Sequence, residues 1–265
     1  MNFLETIINR KKSVVEEAKT VLTLAELQSL VEDIQPRRDF SKAITADDGS
    51  DWQLKVIAEI KRASPSKGVI VSDIDPATVA RDYEEGGAAA ISVLTETDFF
   101  KGSYKDFQSA RDAVKLPVLR KDFIVDEYQI YESLLIGADS ILLIAAALTD
   151  FHLENFISIA KSKSLPALVE VHSREELARA IDAGAEIIGV NSRDLMTFKV
   201  SRELGEKLVG MIPRDVIKVY ESGIDHPHVL SYIMSLGYDA VLIGEHFMRA
   251  RDRVSEVRKF VSRNI

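Results

Sequence analysis

Residues 167–191 read ALVEVHSREELARAIDAGAEIIGVN and contain one strand, one helix and the following strand of a repeating pattern. The apolar runs ALVEV and IIGVN are short and almost continuous, which is typical of parallel strands buried on both faces. Between them, Ser173 and Glu176 have the spacing of a capping box, and Gly184 ends the helical pattern. This stretch therefore predicts a β-strand, an α-helix and a second, parallel β-strand.

Similar apolar runs recur along the chain from residue 54 onward. Eight of them are predicted strands, at 55–60, 90–95, 117–121, 140–146, 167–171, 187–191, 216–220 and 240–244. Helical patterns occupy the intervals, among them residues 75–87, 126–139, 173–186 and 226–239. The chain thus alternates strands with helices over most of its length.

A short motif precedes several of the strands. A Gly, a small or aromatic residue and an acid follow the helix at Gly137, Gly184 and Gly237, and Gly87 begins a weaker copy. The copies lie roughly 50 residues apart, which is the length of two strand–helix units. Eight strands with this period predict a (βα)8 TIM barrel of the α/β class. The alternative is an open, doubly wound sheet.

Residues 1–50 precede the eight units and are predicted to form an N-terminal helical extension. The barrel catalytic domain is predicted at 51–265, and the two parts together form one structural domain. Apolar residues from Leu4 to Ala18 fall near one helical face, and residues 24–34 carry a second helical pattern. The extension could cap the bottom of the barrel or form a partial lid over its mouth, and periodicity does not distinguish the two.

The composition excludes several classes of protein. The 265 residues carry a net charge of −8, which argues against nucleic acid or an anionic membrane as a partner. The absence of cysteine excludes a disulfide framework, a thiolate zinc site and a Cys nucleophile. The N-terminal residues lack the pattern of a signal peptide, and the longest apolar run, 141–148, is too short to span a membrane. We therefore expect a cytoplasmic protein.

Polar residues end five of the predicted strands, and barrel active sites lie at that end. They are Glu59 and Lys61 on the first strand, Lys121 on the third, Glu170 on the fifth, Asn191 on the sixth and Ser222 after the seventh. Because Glu59 and Lys61 are two residues apart, they share one face of their strand. They form either a structural ion pair or part of a site. Such a set of groups suits acid–base catalysis on an anionic substrate.

Glycine follows the last two strands, at Gly223 and Gly244, where barrels commonly bind phosphate through backbone N–H groups. The loop after the first strand begins at Ser64, and it either closes on a phosphate or merely turns the chain. Phe100 follows the second strand, and it either lines a pocket for a ring or packs on the N-terminal extension.

Cofactor and metal motifs are missing from the sequence. It has no GxGxxG loop after a strand and no Walker A loop, so nothing predicts a dinucleotide or ATP. None of its five histidines belongs to an HExxH motif, and His226 and His228 lie at a predicted helix start. We expect neither a cofactor nor a metal.

Longer motifs of this chain resemble the indole-3-glycerol phosphate synthase family of tryptophan biosynthesis. They are AEIKRASPSKG, SVLTETDFFKGS, PVLRKDFIVDEYQI, GADSILLIAAAL, LVEVHSREEL, GVNSRDLMTF, ESGI and LIGEHFM, in the same order as in the family. The helical extension also resembles that family. Since no phosphoribosylanthranilate isomerase domain follows, the resemblance is to the single-function form.

The resemblance implies a cofactor-free carboxy-lyase. Its substrate would be an anionic phosphosugar, 1-(2-carboxyphenylamino)-1-deoxyribulose 5-phosphate, and ring closure with loss of carbon dioxide and water would give indole-3-glycerol phosphate. One alternative is a phosphosugar isomerase of the same barrel type, although the related phosphoribosylanthranilate isomerases use a Cys that this chain lacks. A second alternative is a non-catalytic barrel scaffold, which would lack one of the strand-end residues. We expect a monomer.

The resemblance also implies roles for the residues that perform the chemistry. Lys121 would protonate the ketose carbonyl as the aromatic carbon attacks it. Glu59 would stabilise charge nearby or act as a base, and Glu170 would help to expel the hydroxyl as water. Lys61 would hold a substrate anion, and Asn191 would hydrogen-bond to the substrate. The division of roles among Glu59, Lys61 and Glu170 stays open.

Other residues would bind the substrate. Those assigned by resemblance to the phosphate are Ser222, Gly223 and Gly244, with Ser64 as a further candidate. Phe100 would pack on the anthranilate ring, while Arg193 would either contact the substrate or pair with Glu221. Some family members have Ser after Gly244, where this chain has Glu245. Because a carboxylate repels phosphate, we expect the Glu245 side chain to turn away and only its backbone N–H to serve.

Overall fold

The computed structural model describes residues 3–34, 38–46, 54–194 and 198–262. Its central feature is a closed barrel of eight parallel strands: β1 (Lys55–Ile60), β2 (Ala90–Leu94), β3 (Val118–Lys121), β4 (Ser140–Ile144), β5 (Ala167–Val171), β6 (Ile187–Asn191), β7 (Ile217–Glu221) and β8 (Ala240–Ile243). Strand β1 pairs with both β2 and β8, which closes the ring. The predicted TIM barrel is confirmed, and the open sheet is wrong.

Twelve α-helices accompany the strands within these ranges. They are α1 (Phe3–Val21), α2 (Leu24–Leu30), α3 (Phe40–Ile44), α4 (Pro76–Gly86), α5 (Tyr104–Ala113), α6 (Tyr128–Leu135), α7 (Asp150–Ser162), α8 (Arg174–Asp182), α9 (Arg202–Val209), α10 (His228–Ser235), α11 (Glu245–Arg249) and α12 (Arg253–Val261). A 3₁₀ turn at Ala145–Ala147 follows β4. A short hairpin that the sequence did not predict, Ala63–Ser64 paired with Gly68–Val69, follows β1. None of the described helices is both long and apolar enough to cross a membrane.

Alternate residues of each strand point into the barrel, and they change character from its middle to its mouth. The middle layer is an apolar cluster that includes Ile57, Leu119, Leu142, Leu168, Val219 and Leu242. Side chains two residues apart share a face of a strand. The next inward layer therefore contains Glu59, Lys121, Glu170 and Glu221, and all of its carboxylates are buried. The register aligns Asn191 with Glu221 in the same layer.

The N-terminal helices meet the barrel at both of its ends. Phe40 and Ile44 of α3 pack in one cluster with Ala90 and Ala240, the first residues of β2 and β8, so α3 covers the bottom. Helix α1 instead reaches the carboxyl ends of the strands, where it lines the mouth. The two interpretations of the extension thus apply to different helices. The predicted domain boundary between residues 50 and 51 lies outside the described residues.

A buried ion pair attaches α1 to the mouth. Lys11 Nζ lies 2.8 Å from Asp122 Oδ1, and both side chains are almost fully enclosed. Asp122 directly follows β3, and its other oxygen accepts hydrogen bonds from Thr95 Oγ1 at 2.6 Å and from Arg120 at 3.2 Å. Burial alone would raise the pKa of Asp122, but Lys11 and Arg120 hold it below its usual range.

We expect Lys11→Met to lower the free energy of unfolding by about 3 kcal/mol, because it leaves a buried carboxylate short of one cation. Denaturant titration of the purified chain measures the change. Lys12→Met is the matched control: Lys12 lies on the same helix with an exposed side chain. Its effect should stay within about 0.5 kcal/mol. Equal stability of the two variants would contradict a role for the buried pair.

Candidate active site

A cavity of about 780 Å³ opens at the mouth of the barrel. It is lined by residues that follow most of the strands and by Phe3, Leu4 and Ile7 of α1. The twelve candidate site residues all line this one cavity: Glu59, Lys61, Ser64, Phe100, Lys121, Glu170, Asn191, Arg193, Ser222, Gly223, Gly244 and Glu245. Their individual roles stay predictions.

Lys121 lies between two buried carboxylates. Its Nζ is 2.5 Å from Glu221 Oε2 and 3.1 Å from Glu170 Oε2. Burial favours a neutral lysine, but Glu221 and Glu170 outweigh it and hold the pKa of Lys121 above its usual range. Lys121 therefore carries a proton at neutral pH.

The two carboxylates beside Lys121 differ in protonation. Burial raises the pKa of Glu221 to about 7, against the attraction of Lys121. Glu221 Oε1 is buried and has no hydrogen-bond partner among the described residues. For Glu170 burial is outweighed by Lys121 and His172, which hold its pKa below the usual range. The pKa of Glu170 is thus lowered and that of Glu221 raised, although both carboxylates face the same lysine.

Glu221 was not among the predicted site residues. Its signal in the sequence was its place at the end of the seventh strand, directly before Ser222. Gly189 of the adjacent β6 makes room for it, because a Cβ there would overlap the Glu221 carboxylate. Glycine is therefore needed at position 189, because a side chain there would displace the buried Glu221 carboxylate.

Glu59 and Lys61 form an ion pair inside the cavity. Glu59 Oε1 lies 2.7 Å from Lys61 Nζ, with Glu59 buried and Lys61 partly open to the cavity. Gly244 packs against this pair, since a Cβ at that position would overlap the Glu59 carboxylate and crowd Lys61 Nζ. Glu59 and Lys61 therefore form an ion pair and also line the cavity.

The loop after β7 has an unusual backbone. Ser222 and Gly223 have φ angles of 69° and 73°, in the left-handed region that disfavours residues with a side chain. A Cβ at Gly223 would also overlap Val200. A non-glycine residue such as Ser222 in this region marks strain of the kind found at ligand sites.

Glu245 follows the adjacent strand β8, and two cations accompany it. Its Oε1 is 3.1 Å from Arg249 Nε and 3.8 Å from Lys67 Nζ. These neighbours offset the charge of the carboxylate. Whether it avoids a bound phosphate stays a prediction.

The loop after β6 holds Arg193 in place. Its backbone N–H donates to Asn191 Oδ1 at 3.0 Å, and its guanidinium donates to the Phe198 carbonyl at 3.2 Å. Glu221, the alternative partner of Arg193, is instead bound by Lys121. In the hairpin after β1, Ser64 Oγ lies 3.5 Å from Ser66 Oγ.

An aromatic wall occupies the side of the cavity near β2. Phe99 packs edge-on against Phe3 of α1, with ring centroids 5.4 Å apart, while Phe100 packs against Phe123 at 6.0 Å. The buried Glu96 accepts hydrogen bonds from the backbone N–H groups of Asp98, Phe99 and Phe100, which fixes this loop. One phenylalanine thus packs on the extension and the next lines the cavity.

No group of three or more His, Cys, Asp or Glu side chains in the described ranges could hold a metal ion. His226 and His228 stack on each other with centroids 5.9 Å apart.

A (βα)8 barrel with a lysine between carboxylates in its mouth is typical of an enzyme that performs acid–base chemistry. The family model described as indole-3-glycerol phosphate synthase matches residues 4–260. The chain belongs to the indole-3-glycerol phosphate synthase family.

Individual relatives match over nearly the whole chain. Indole-3-glycerol phosphate synthase of Acetivibrio thermocellus is 44% identical over 259 residues, covering 97% of this chain and 98% of that protein. Indole-3-glycerol phosphate synthase 1 of Streptomyces coelicolor is 45% identical over 262 residues, covering 99% and 96%. Among solved structures, thiamine phosphate pyrophosphorylase from Pyrococcus furiosus has a TM-score of 0.59 at 20% identity, covering 78% of this chain and 93% of that one. That last likeness concerns the fold alone.

Proposed function

We propose that this chain converts 1-(2-carboxyphenylamino)-1-deoxyribulose 5-phosphate into indole-3-glycerol phosphate, carbon dioxide and water in tryptophan biosynthesis. The observation that carries the proposal is the Lys121 ammonium group held between Glu170 and Glu221 in a cavity of about 780 Å³. Membership of the family supports the same conclusion. The net charge of −8 argues against nucleic acid or an anionic membrane as a partner and leaves room for a small anionic substrate held by local cations. We propose a monomer that works in the cytoplasm.

The first step is ring closure. The aromatic carbon that bears the carboxylate attacks the ketose carbonyl, a carbon–carbon bond forms, and the carbonyl oxygen takes a proton from Lys121 to become a hydroxyl. A general acid must hold its proton before the step and must reach the reacting oxygen. Lys121 meets the first condition because its two carboxylate neighbours keep it charged.

The next steps restore aromaticity. Carbon dioxide leaves and its bonding electrons return to the ring, while Glu59 stabilises the positive charge that ring closure leaves on the nitrogen side. Lys121 regains a proton from solvent and gives it to the hydroxyl, which leaves as water, and the neighbouring sugar carbon loses a proton as the indole double bond forms. Glu170 assists this elimination, and Lys61, adjacent to Glu59, holds a substrate anion.

Binding groups surround these atoms. The substrate phosphate would lie against the backbone of Ser222, Gly223 and Gly244, where barrels of this kind bind phosphate. Ser64 and Arg193 line the same cavity and supply further donors. Phe100 would pack on the anthranilate ring, and Asn191 would orient the sugar.

An assay of the purified chain with the carboxyphenylamino substrate tests the proposal directly. We expect indole fluorescence to appear with turnover and without added metal or cofactor, because the acid and base groups belong to the protein. Chelator-treated and metal-supplemented samples should turn over at the same rate. A correctly folded chain that produced no indole-3-glycerol phosphate would rule the proposal out.

A further inference from the structure

We propose that His172 is a positioning residue, which in its doubly protonated form orients Glu170 and keeps it ionised. This inference rests on the proposed function, in which Glu170 assists the loss of water. His172 was not among the candidate residues, and it lies behind the cavity rather than on its lining.

The imidazole ring faces a carboxylate at each of its nitrogens. His172 lies two residues after Glu170, so that both side chains leave β5 on the same side. Its Nε2 is 3.2 Å from Glu170 Oε1, and its Nδ1 is 3.3 Å from Glu176 Oε2. Only 9% of the side chain is exposed. Two carboxylates therefore face one enclosed ring from opposite sides.

The cap of helix α8 holds the ring in this orientation. Ser173 Oγ accepts a hydrogen bond from the Glu176 backbone N–H at 3.1 Å. Glu176 Oε2 accepts one from the backbone N–H of His172 at 2.8 Å, and the same oxygen faces the ring. Glu176 of the capping box predicted from the sequence is therefore also the carboxylate that faces His172.

Two facing carboxylates require a charged ring. A neutral imidazole has one N–H and would direct a lone pair at one of the two acceptors, whereas the imidazolium offers an N–H to each. The Nε2 contact is an ion pair rather than an aligned hydrogen bond, and Nε2 has no other polar partner in the described ranges. In agreement, burial opposes the charge, but Glu170 and Glu176 outweigh it and raise the pKa of His172 to about 10.

The two oxygens of Glu170 have different cations. Oε2 faces Lys121 of β3, Oε1 faces His172, and the Asn191 amide of β6 hydrogen-bonds to the carboxylate. Beyond Lys121 lie Glu221 of β7 and Glu59 of β1, which both act on its charge. The 3₁₀ turn at 145–147, which packs against β5 and α8, is AAA and adds no titratable group.

Because its two oxygens face different cations, Glu170 keeps a positive partner throughout the reaction. When Lys121 gives its proton to the substrate oxygen, Glu170 loses one of its two cations but keeps the other. The charged His172 remains beside Glu170 Oε1 through ring closure, so Glu170 stays a carboxylate and keeps its orientation. A carboxylate accepts a proton and cannot donate one, so Glu170 assists dehydration as the acceptor of the proton that the sugar carbon loses.

The test removes the charge of Glu176, which is remote from the substrate. Glu176→Gln keeps an oxygen for the helix cap but takes one anion from His172, so the pKa of His172 should fall by roughly one to two units. NMR of imidazole-labelled protein measures that titration. The alkaline limb of the pH profile of kcat should move to lower pH by the same amount, with KM at neutral pH unchanged.

Glu175→Gln is the matched control, since it removes the same charge from the same turn of α8 at an exposed side chain. Neither the titration nor the kcat profile should move in it. A neutral His172 at pH 8 in the intact enzyme would overturn the proposal, as would a Glu176→Gln variant whose His172 titration moves while kcat does not. An intact chain without turnover would overturn the proposed function as well, whereas normal turnover with a neutral His172 overturns this inference alone.

Stability provides a second readout. The folded-state pKa of His172, about 10, lies above its ordinary value of 6.5. Its protonation therefore stabilises the fold fully below pH 6.5, and this contribution is lost as the pH rises to 10. The difference in unfolding free energy between wild type and His172→Asn should shrink over that window. A difference that stays constant with pH would mean that the ring acts by packing and not by charge.

Discussion

Replacing Lys121 with Ala is expected to lower kcat by at least ~100-fold while the chain stays folded, because the reaction loses its general acid. The variant leaves Glu170 and Glu221 without the cation that separates them. Buried carboxylates respond to such a loss by taking up a proton. Glu221, with its pKa already raised to about 7, is the one that should do so. Steady-state kinetics and circular dichroism measure the two parts of this expectation.

Lys121→Arg is the informative control. The guanidinium keeps the positive charge between the carboxylates but does not release a proton. The Lys121→Arg variant should therefore retain more of the wild-type stability than Lys121→Ala does, but its kcat should be as low as that of Lys121→Ala. Turnover near that of the wild type in either variant would remove Lys121 from the role of general acid.

The second large effect is expected at Glu59. Glu59→Gln should lower kcat by about 100-fold, because the amide neither stabilises developing positive charge nor accepts a proton. Its oxygen can still accept a hydrogen bond from Lys61, whose Nζ lies 2.7 Å from the carboxylate. We therefore expect the substrate KM and the melting temperature to change little. Single-turnover fluorescence measurements separate this chemical step from product release.

Glu186→Gln is a suitable comparison, since it also removes the acidic half of a Lys–Glu pair. Glu186 pairs with Lys161 at 2.5 Å, but both side chains are more than two-thirds exposed. Exposed pairs contribute at most about 1 kcal/mol, and this one lies outside the cavity lining. The variant should match the wild type in kcat. If Glu59→Gln and Glu186→Gln behaved alike, Glu59 would be a structural partner of Lys61 and nothing more.

The fold could be predicted because its pattern is local. Buried parallel strands are near-continuous apolar runs, and helix caps such as Ser173 with Glu176 mark where each helix begins. The hairpin at 63–69 was missed because its two-residue strands carry no periodicity. The two placements of the extension stayed open for a similar reason: an amphipathic helix shows that one face is covered, but not what covers it.

The cavity could be predicted in part. A barrel gathers the carboxyl ends of its strands at one mouth, so ten of the candidate residues could be named from their places at strand ends or in the loops that follow. Arg193 and Glu245 came from the family resemblance. Glu221 was not predicted as a site residue because its neighbours Ser222 and Gly223 already accounted for that strand end as a phosphate-binding loop. The role of His172 was not predicted because the position of a histidine just after a strand does not indicate which groups will face its ring.

By itself, the sequence determined the eight strands, their parallel arrangement and the end at which the polar groups meet, since these follow from near-continuous apolar runs that alternate with helical patterns. Only the tertiary structure decided which charges are partners. Lys121 could face Glu59, Glu170 or Glu221 from its strand end, and the closed barrel places it nearest the last two. The protonation of these groups was likewise settled by folding, because burial and the distance to the next charge set a pKa and both arise only when distant strands come together.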